Sequence, residues 1–131
     1  MTIAAPAALG RRVVQGCSFE LPAPISVNKL WMPGKYGGII KTPAYRNWLT
    51  EAGMKLNRQS KERIAGYYAL YLTVTDKSRA DLGNCEKAVS DLLQEHGVVE
   101  NDKLCSFIKV SWGRIDGMLV QLLSAKGKET A

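Results

Sequence analysis

GYYALYLTVTDKSRADLGNCEKAVSDLLQEHG, residues 66–97, decides the architecture because two periodicities meet inside it. Up to Thr75 the stretch is rich in Tyr, Thr and Val and alternates Leu70, Leu72 and Val74, the period-two pattern of a strand. Over about 82–95 the period changes. Leu82, Cys85, Val89, Leu92 and Leu93 share one face at 100° per residue, and Gly83, Asn84, Lys87, Asp91 and Gln94 share the other. This predicts a helix ending at Gly97, a suitable C′ glycine.

Working outward, Thr42 precedes Pro43 as an N-cap precedes a first helical residue, and Tyr45, Trp48, Leu49, Ala52 and Leu56 follow at helical spacing, so a helix is expected over 43–61. The run from Arg11 to Leu21 alternates as a strand does. LPAPISVN is broken twice by proline, and MPGKYGGII is a glycine-rich loop carrying Lys35 and Tyr36. Strands near 104–112 and 117–123 are joined by the turn GRID, which predicts a hairpin. The order strand, helix, strand, helix, strand, strand implies an α+β domain, a mixed sheet of about four strands with two main helices packed against it. The expected domain spans 11–125, with a flexible N-terminal tail at 1–10 and a C-terminal tail at 126–131.

The chain of 131 residues has room for one domain. Eighteen Lys and Arg against twelve Asp and Glu give a net charge of +6, which suits polyanionic partners such as nucleic acid. Cys17, Cys85 and Cys105 form no Cys-x-x-Cys pair and His96 is the only histidine, which excludes a disulfide framework and a structural zinc site. The cysteines read as small core residues, and His96 as a dipole partner at its helix end. Arg11 and Arg12 follow the first apolar stretch rather than precede it, the wrong order for a secretory signal, and no apolar run approaches the length of a membrane span. A cytoplasmic protein is expected, with no membrane partner and no small-molecule cofactor.

Two readings of the charges on 78–102 stand side by side. In the first, Asp81 caps the helix, Lys87 and Asp91 form an i,i+4 pair, and Glu100 and Asp102 are ordinary turn acids. In the second, a carboxylate at a helix start and another at the mouth of a following strand share a hard divalent cation, and a lysine along the helix faces the phosphate that the cation binds.

Three blocks favour the second reading. LPAPISVNKLW (Leu21, Pro22, Pro24, Ser26, Asn28, Trp31), TPAYRNW (Tyr45, Arg46) and RADLGNCEKAVSDLL followed by VVENDKL occur in order between about Phe19 and Lys109. Together they resemble the RusA-type Holliday junction resolvases, metal-dependent endonucleases of bacteria, phages and prophages. By that resemblance Asp81, Lys87 and Asp102 are catalytic, and Asp81, Asp102 and Asp91 are the metal set for Mg²⁺, or Mn²⁺ in its place. Asn84 and Asp91 match the intervening pattern, and Asn28, Lys29, Lys35, Arg46, Lys77, Arg79 and Asn84 are the expected DNA contacts. The family's third metal-site aspartate would stand where this chain has Gly83, and the first of its late aspartate pair is Asn101. The resemblance implies a homodimer that resolves four-way DNA junctions in recombination and repair. The Gly83 departure leaves open a branched-DNA-binding homologue with weakened or absent cleavage, and the charges by themselves leave open a module that binds RNA or protein.

Overall fold

The computed structural model describes residues 10–127. The expected tails at 1–10 and 126–131 therefore fall almost wholly outside the described residues.

Thr42 Oγ1 accepts from the Tyr45 N–H at 3.1 Å and Pro43 takes the first helical position, so α1 runs Pro43–Gln59. Its buried Tyr45, Trp48, Ala52 and Leu56 recur every three or four residues and turn toward the sheet. Trp48 also donates from Nε1 to the Ala23 carbonyl at 2.8 Å, which pins the proline-broken segment to the helix.

The run from Arg11 is two pieces, β1 (Arg12–Val13) and β2 (Gly16–Leu21), rather than one strand. Downstream, MPGKYGGII is the tip and flank of a second hairpin, in which β3 (Trp31–Pro33) pairs antiparallel with β4 (Ile39–Lys41). After α1 come the short β5 (Glu62–Arg63), parallel to β1, and β6 (Tyr68–Thr75), the expected strand.

The helix expected over 82–95 divides. Leu82–Asn84 is a 3-10 turn, and α2 covers Glu86–Glu95. It ends at Gly97, which takes the left-handed conformation with φ +71°. Beyond it β7 (Cys105–Gly113) and β8 (Met118–Ser124) are strands where the pattern placed them, but they are not a hairpin. The sheet order is β2-β8-β6-β7: β6 lies between them, parallel to β7 and antiparallel to β8. The Thr75 and Asp76 N–H groups donate to the Gly117 and Gly113 carbonyls, so GRID wraps over the end of β6. Four extended residues span roughly 13 Å, enough to pass one intervening strand at about 4.8 Å per spacing. A hairpin turn and such a crossover share the same composition, and only the pairing tells them apart.

The core lies between one sheet face (Phe19, Leu21, Leu70, Leu72, Val74, Val120, Leu122) and the helices (Leu56, Val89, Leu92, Leu93), all buried. Cys85 is buried with them, while Cys17 and Cys105 are half-buried. His96 departs from expectation. Its ring turns into α1, where a Cβ on Gly53 would lie 2.7 Å from Nε2, and its Nδ1 meets Asn57 Nδ2 at 3.2 Å. Burial lowers its pKa, which disfavours the charged form that a dipole partner needs. Among the described residues no helix is long and apolar enough to cross a membrane.

Candidate active site and nucleic-acid interface

Lys87 and Asp91 stand one turn apart on α2, and Lys87 Nζ lies 3.0 Å from Asp91 Oδ1. The other Asp91 oxygen, Oδ2, accepts from the Tyr45 hydroxyl at 3.1 Å. That hydroxyl comes from α1, on a ring only 1% exposed, so it is held by core packing. Burial and then the Asp91 charge raise the Tyr45 pKa, which keeps the hydroxyl a donor.

Asp102 reaches the same lysine from the other side. It opens a 3-10 turn, Asp102–Leu104, immediately before β7, and its N–H donates to Gln94 Oε1 on α2 at 2.8 Å. Asn101 caps this turn by accepting from the Lys103 N–H at 2.9 Å, so the residue standing where the resemblance led one to expect an aspartate has a structural role. Asp102 Oδ2 stands 3.8 Å from Lys87 Nζ. The ammonium thus lies between a helix carboxylate and a strand-mouth carboxylate. The Asp91 hydrogen bond, with the charges of Asp91 and Asp102 behind it, raises its pKa. Its side chain remains 45% exposed, open to a phosphate.

Asp81 lies in different surroundings. Its backbone is extended and its side chain makes no capping bond, so the expected N-cap is not formed. The helix begins five residues later, beyond its reach. Gly83 sits exposed in the 3-10 turn, and an added Cβ would meet nothing within 4 Å. A cleft of about 390 Å³ brings Asp81, Arg79 and Asn84 against Ser26, Asn28 and Lys29 of the proline-broken loop. Four expected DNA contacts, Asn28, Lys29, Arg79 and Asn84, therefore line one opening. Lys77 stands apart, paired at 3.5 Å with Asp116 on the crossover turn. Lys35 lies at the tip of the β3–β4 hairpin, and Arg46 is exposed in the first turn of α1.

Among the described residues no three His, Cys, Asp or Glu form a group able to hold a metal, so the expected trio Asp81, Asp91 and Asp102 is not gathered. Asp91 has both oxygens engaged by Lys87 and Tyr45. Asp81, without a cap bond, lines the cleft, and Asp102, partly exposed, stands beside Lys87; both carry the carboxylate oxygens that a hard cation takes.

Sequence reasoning placed Tyr45 at the opening of the first helix but not beside Asp91, and did not single out Tyr68. The Tyr68 hydroxyl is buried with no hydrogen bond of ordinary geometry, its neighbour being the Cys105 sulfur. Burial, then the charges of Cys105, Asp102 and Glu86, raise its pKa. Its only sequence signal was its place at the head of the central strand, which core packing explains equally well.

No family model matches the chain. It is, however, 31% identical over 88 residues to the crossover junction endodeoxyribonuclease RusA of Aquifex aeolicus (strain VF5), a match covering 65% of this chain and 68% of that protein. By that match the chain belongs to the RusA family of crossover junction endodeoxyribonucleases.

Proposed function

We propose that the protein is a Mg²⁺-dependent endonuclease that resolves four-way DNA junctions, acting in the cytoplasm as a homodimer. The observation that carries this reading is Lys87, suspended between Asp91 and Asp102 with its ammonium exposed. A two-fold dimer presents two equivalent sites, which suits the paired cuts that a four-way junction requires.

Asp81 and Asp102 would hold Mg²⁺, or Mn²⁺ in its place, with water completing the shell. When bound, the cation supplies positive charge to the scissile phosphate and lowers the pKa of a coordinated water. Lys87, kept protonated, stabilises the negative charge that grows on the phosphoryl oxygens as water attacks phosphorus in line. The P–O3′ bond breaks, leaving a 5′-phosphate and a 3′-hydroxyl that ligase can seal. Asp91 and Tyr45 touch no substrate and orient Lys87. Asn28, Lys29, Arg79 and Asn84 bind the backbone along the cleft, so affinity falls steeply with salt while junction shape supplies selectivity.

The test is a labelled synthetic four-way junction incubated with the protein in Mg²⁺ and in EDTA. Symmetric nicks with ligatable ends in Mg²⁺ alone are expected. A second reading, a homologue that binds branched DNA without cutting it, is favoured by Gly83, which removes an expected ligand. Selective junction binding with no cleavage in either Mg²⁺ or Mn²⁺ would establish it. Equal affinity for junction, duplex and RNA would remove both readings.

A further inference from the structure

The β3–β4 hairpin is the part of the molecule that neither the core nor the Lys87 cluster explains. Its base is rigid: Leu30 is buried, its carbonyl accepts from the Thr42 N–H at 2.9 Å, and Thr42 Oγ1 donates to the Lys29 carbonyl at 2.6 Å. At the tip Gly34 N–H donates to the Gly38 carbonyl, and Gly37 and Gly38 take φ of +96° and +72°. This close turn holds Tyr36 out with 93% of its surface exposed, and Lys35 Nζ lies 5.5 Å from its ring centroid.

The register Trp31↔Lys41 and Pro33↔Ile39 puts Trp31, Pro33, Ile39 and Lys41 on one face. Ile39 is 74% exposed there, against the usual tendency to bury an isoleucine. Charge narrows the choice of partner. Residues 21–50 contain Lys29, Lys35, Lys41 and Arg46 and no acid at all. Phosphates are drawn to such a segment, and it offers no acid with which the same basic segment of a second copy could pair. An apolar wedge flanked by cations is the pattern of side chains that insert between base steps. The hairpin is also mounted on the Lys87 cluster: Trp31 packs edge-to-face on Tyr45 with ring centroids 5.9 Å apart, and Tyr45 holds Asp91.

We propose that this hairpin reads the branch point, with Tyr36 and Ile39 packing against bases that lose a stacking neighbour at the junction centre and Lys35 and Lys41 on the flanking phosphates. The proposal rests on the junction-resolving reading above. Opening a step costs least where stacking is already interrupted, so such a wedge selects branched over continuous DNA.

The experiment is equilibrium binding in EDTA to a four-way junction and to a linear duplex of equal length. Tyr36→Ala is expected to weaken junction binding about ten-fold, the scale of one lost base–aromatic stack, and to leave duplex binding unchanged. Tyr36→Phe should keep full junction affinity, because stacking uses the ring and not the hydroxyl. Full junction preference in Tyr36→Ala, or equal loss on both DNAs, overturns the wedge while leaving the resolvase reading intact. Wild-type protein with no junction preference overturns that reading, and the wedge with it. If Tyr36→Ala combined with Ile39→Ser instead dissociates a dimer in sedimentation and leaves junction preference unchanged, the surface belongs to a second copy and the proposal fails.

Discussion

Lys87 and Asp81 are separated by one short turn of chain, yet they are held by different physics. Lys87 is fixed by partners from three places: Asp91 on its own helix, Asp102 before β7, and Tyr45 of α1 behind Asp91. Asp81 has no capping bond and lies beside an exposed glycine with open space around it. In the proposed site, then, Lys87 is held by protein partners alone, and the Asp81 side chain has no capping bond to hold it. A prebuilt electrostatic group loses little reorganisation energy in the transition state, whereas an unorganised carboxylate is ordered only by what it binds. The two regions should therefore respond differently to substitution.

The largest effect is expected at Asp102, which belongs to both halves. Asp102→Asn should abolish junction cleavage and leave junction binding in EDTA within a few-fold of wild type, because a cation ligand and not a phosphate contact is lost. Binding tightens slightly if anything, as one negative charge near the phosphates is gone. Parallel loss of binding and cutting would show that Asp102 serves the fold.

Next comes Lys87→Ala, which should lower the single-turnover rate by roughly 10²-fold, the scale of one removed transition-state donor. Melting temperature should hardly move, because a half-exposed ion pair contributes about 1 kcal/mol at most. The pH profile sharpens this. Lys87 has its pKa raised above the ordinary 10.5, so its pairing is complete below that value and is lost only as pH rises through the higher folded value. No fall in rate between pH 7 and 9 should therefore come from Lys87. A basic limb in that window that vanishes in Lys87→Arg would contradict the assignment.

Tyr45→Phe should act more gently and through another residue. Without the hydroxyl, Asp91 keeps Lys87 but loses its own anchor, and the rate should drop roughly ten-fold, the lower end for loss of an outer supporting partner. A rate at the wild-type level with a lowered melting temperature would make Tyr45 a core residue only.

These contrasts also explain what could be read in advance. α1 was legible because its cap, its proline and its apolar spacing all lie within the helix itself. The start of α2 was not: Leu82 fits the apolar face, but the 3-10 turn that precedes Glu86 leaves no local mark in composition. The crossover after β7 was hidden because the pairing of β6 with both β7 and β8 is decided by distant residues. The nearness of Lys87 and Asp91 could be read from their i,i+4 spacing, whereas Asp102 reaches Lys87 only through the fold. Tyr45 was placed on the apolar face of α1 by its spacing, yet the direction of its hydroxyl depends on how α1 and α2 meet, which no spacing within α1 encodes. The contacts of Asp91 were half legible for the same reason: Lys87 lies at i,i+4 on its own helix, whereas Tyr45 comes from α1.

The smallest and most discriminating change is Gly83→Asp. Residue 83 lies two positions after Asp81 in the exposed turn, and its added Cβ would meet no atom within 4 Å, so the substitution is sterically free. Its φ is not positive, so no left-handed backbone resists a side chain. Removing a glycine also cuts the entropy of the unfolded chain, by roughly 0.4–1 kcal/mol, so stability should hold or rise slightly. A third carboxylate beside Asp81 strengthens a hard-cation site, because affinity rises with ligand charge. The Mg²⁺ concentration giving half-maximal cleavage should therefore fall by several-fold, on the order of 1 kcal/mol of added binding. Single-turnover rates against Mg²⁺ concentration, for wild type and Gly83→Asp, measure it. If rate and metal dependence are both unchanged while Asp102→Asn is inactive, residue 83 faces away from the cation, and the unorganised half of the site is completed by water alone.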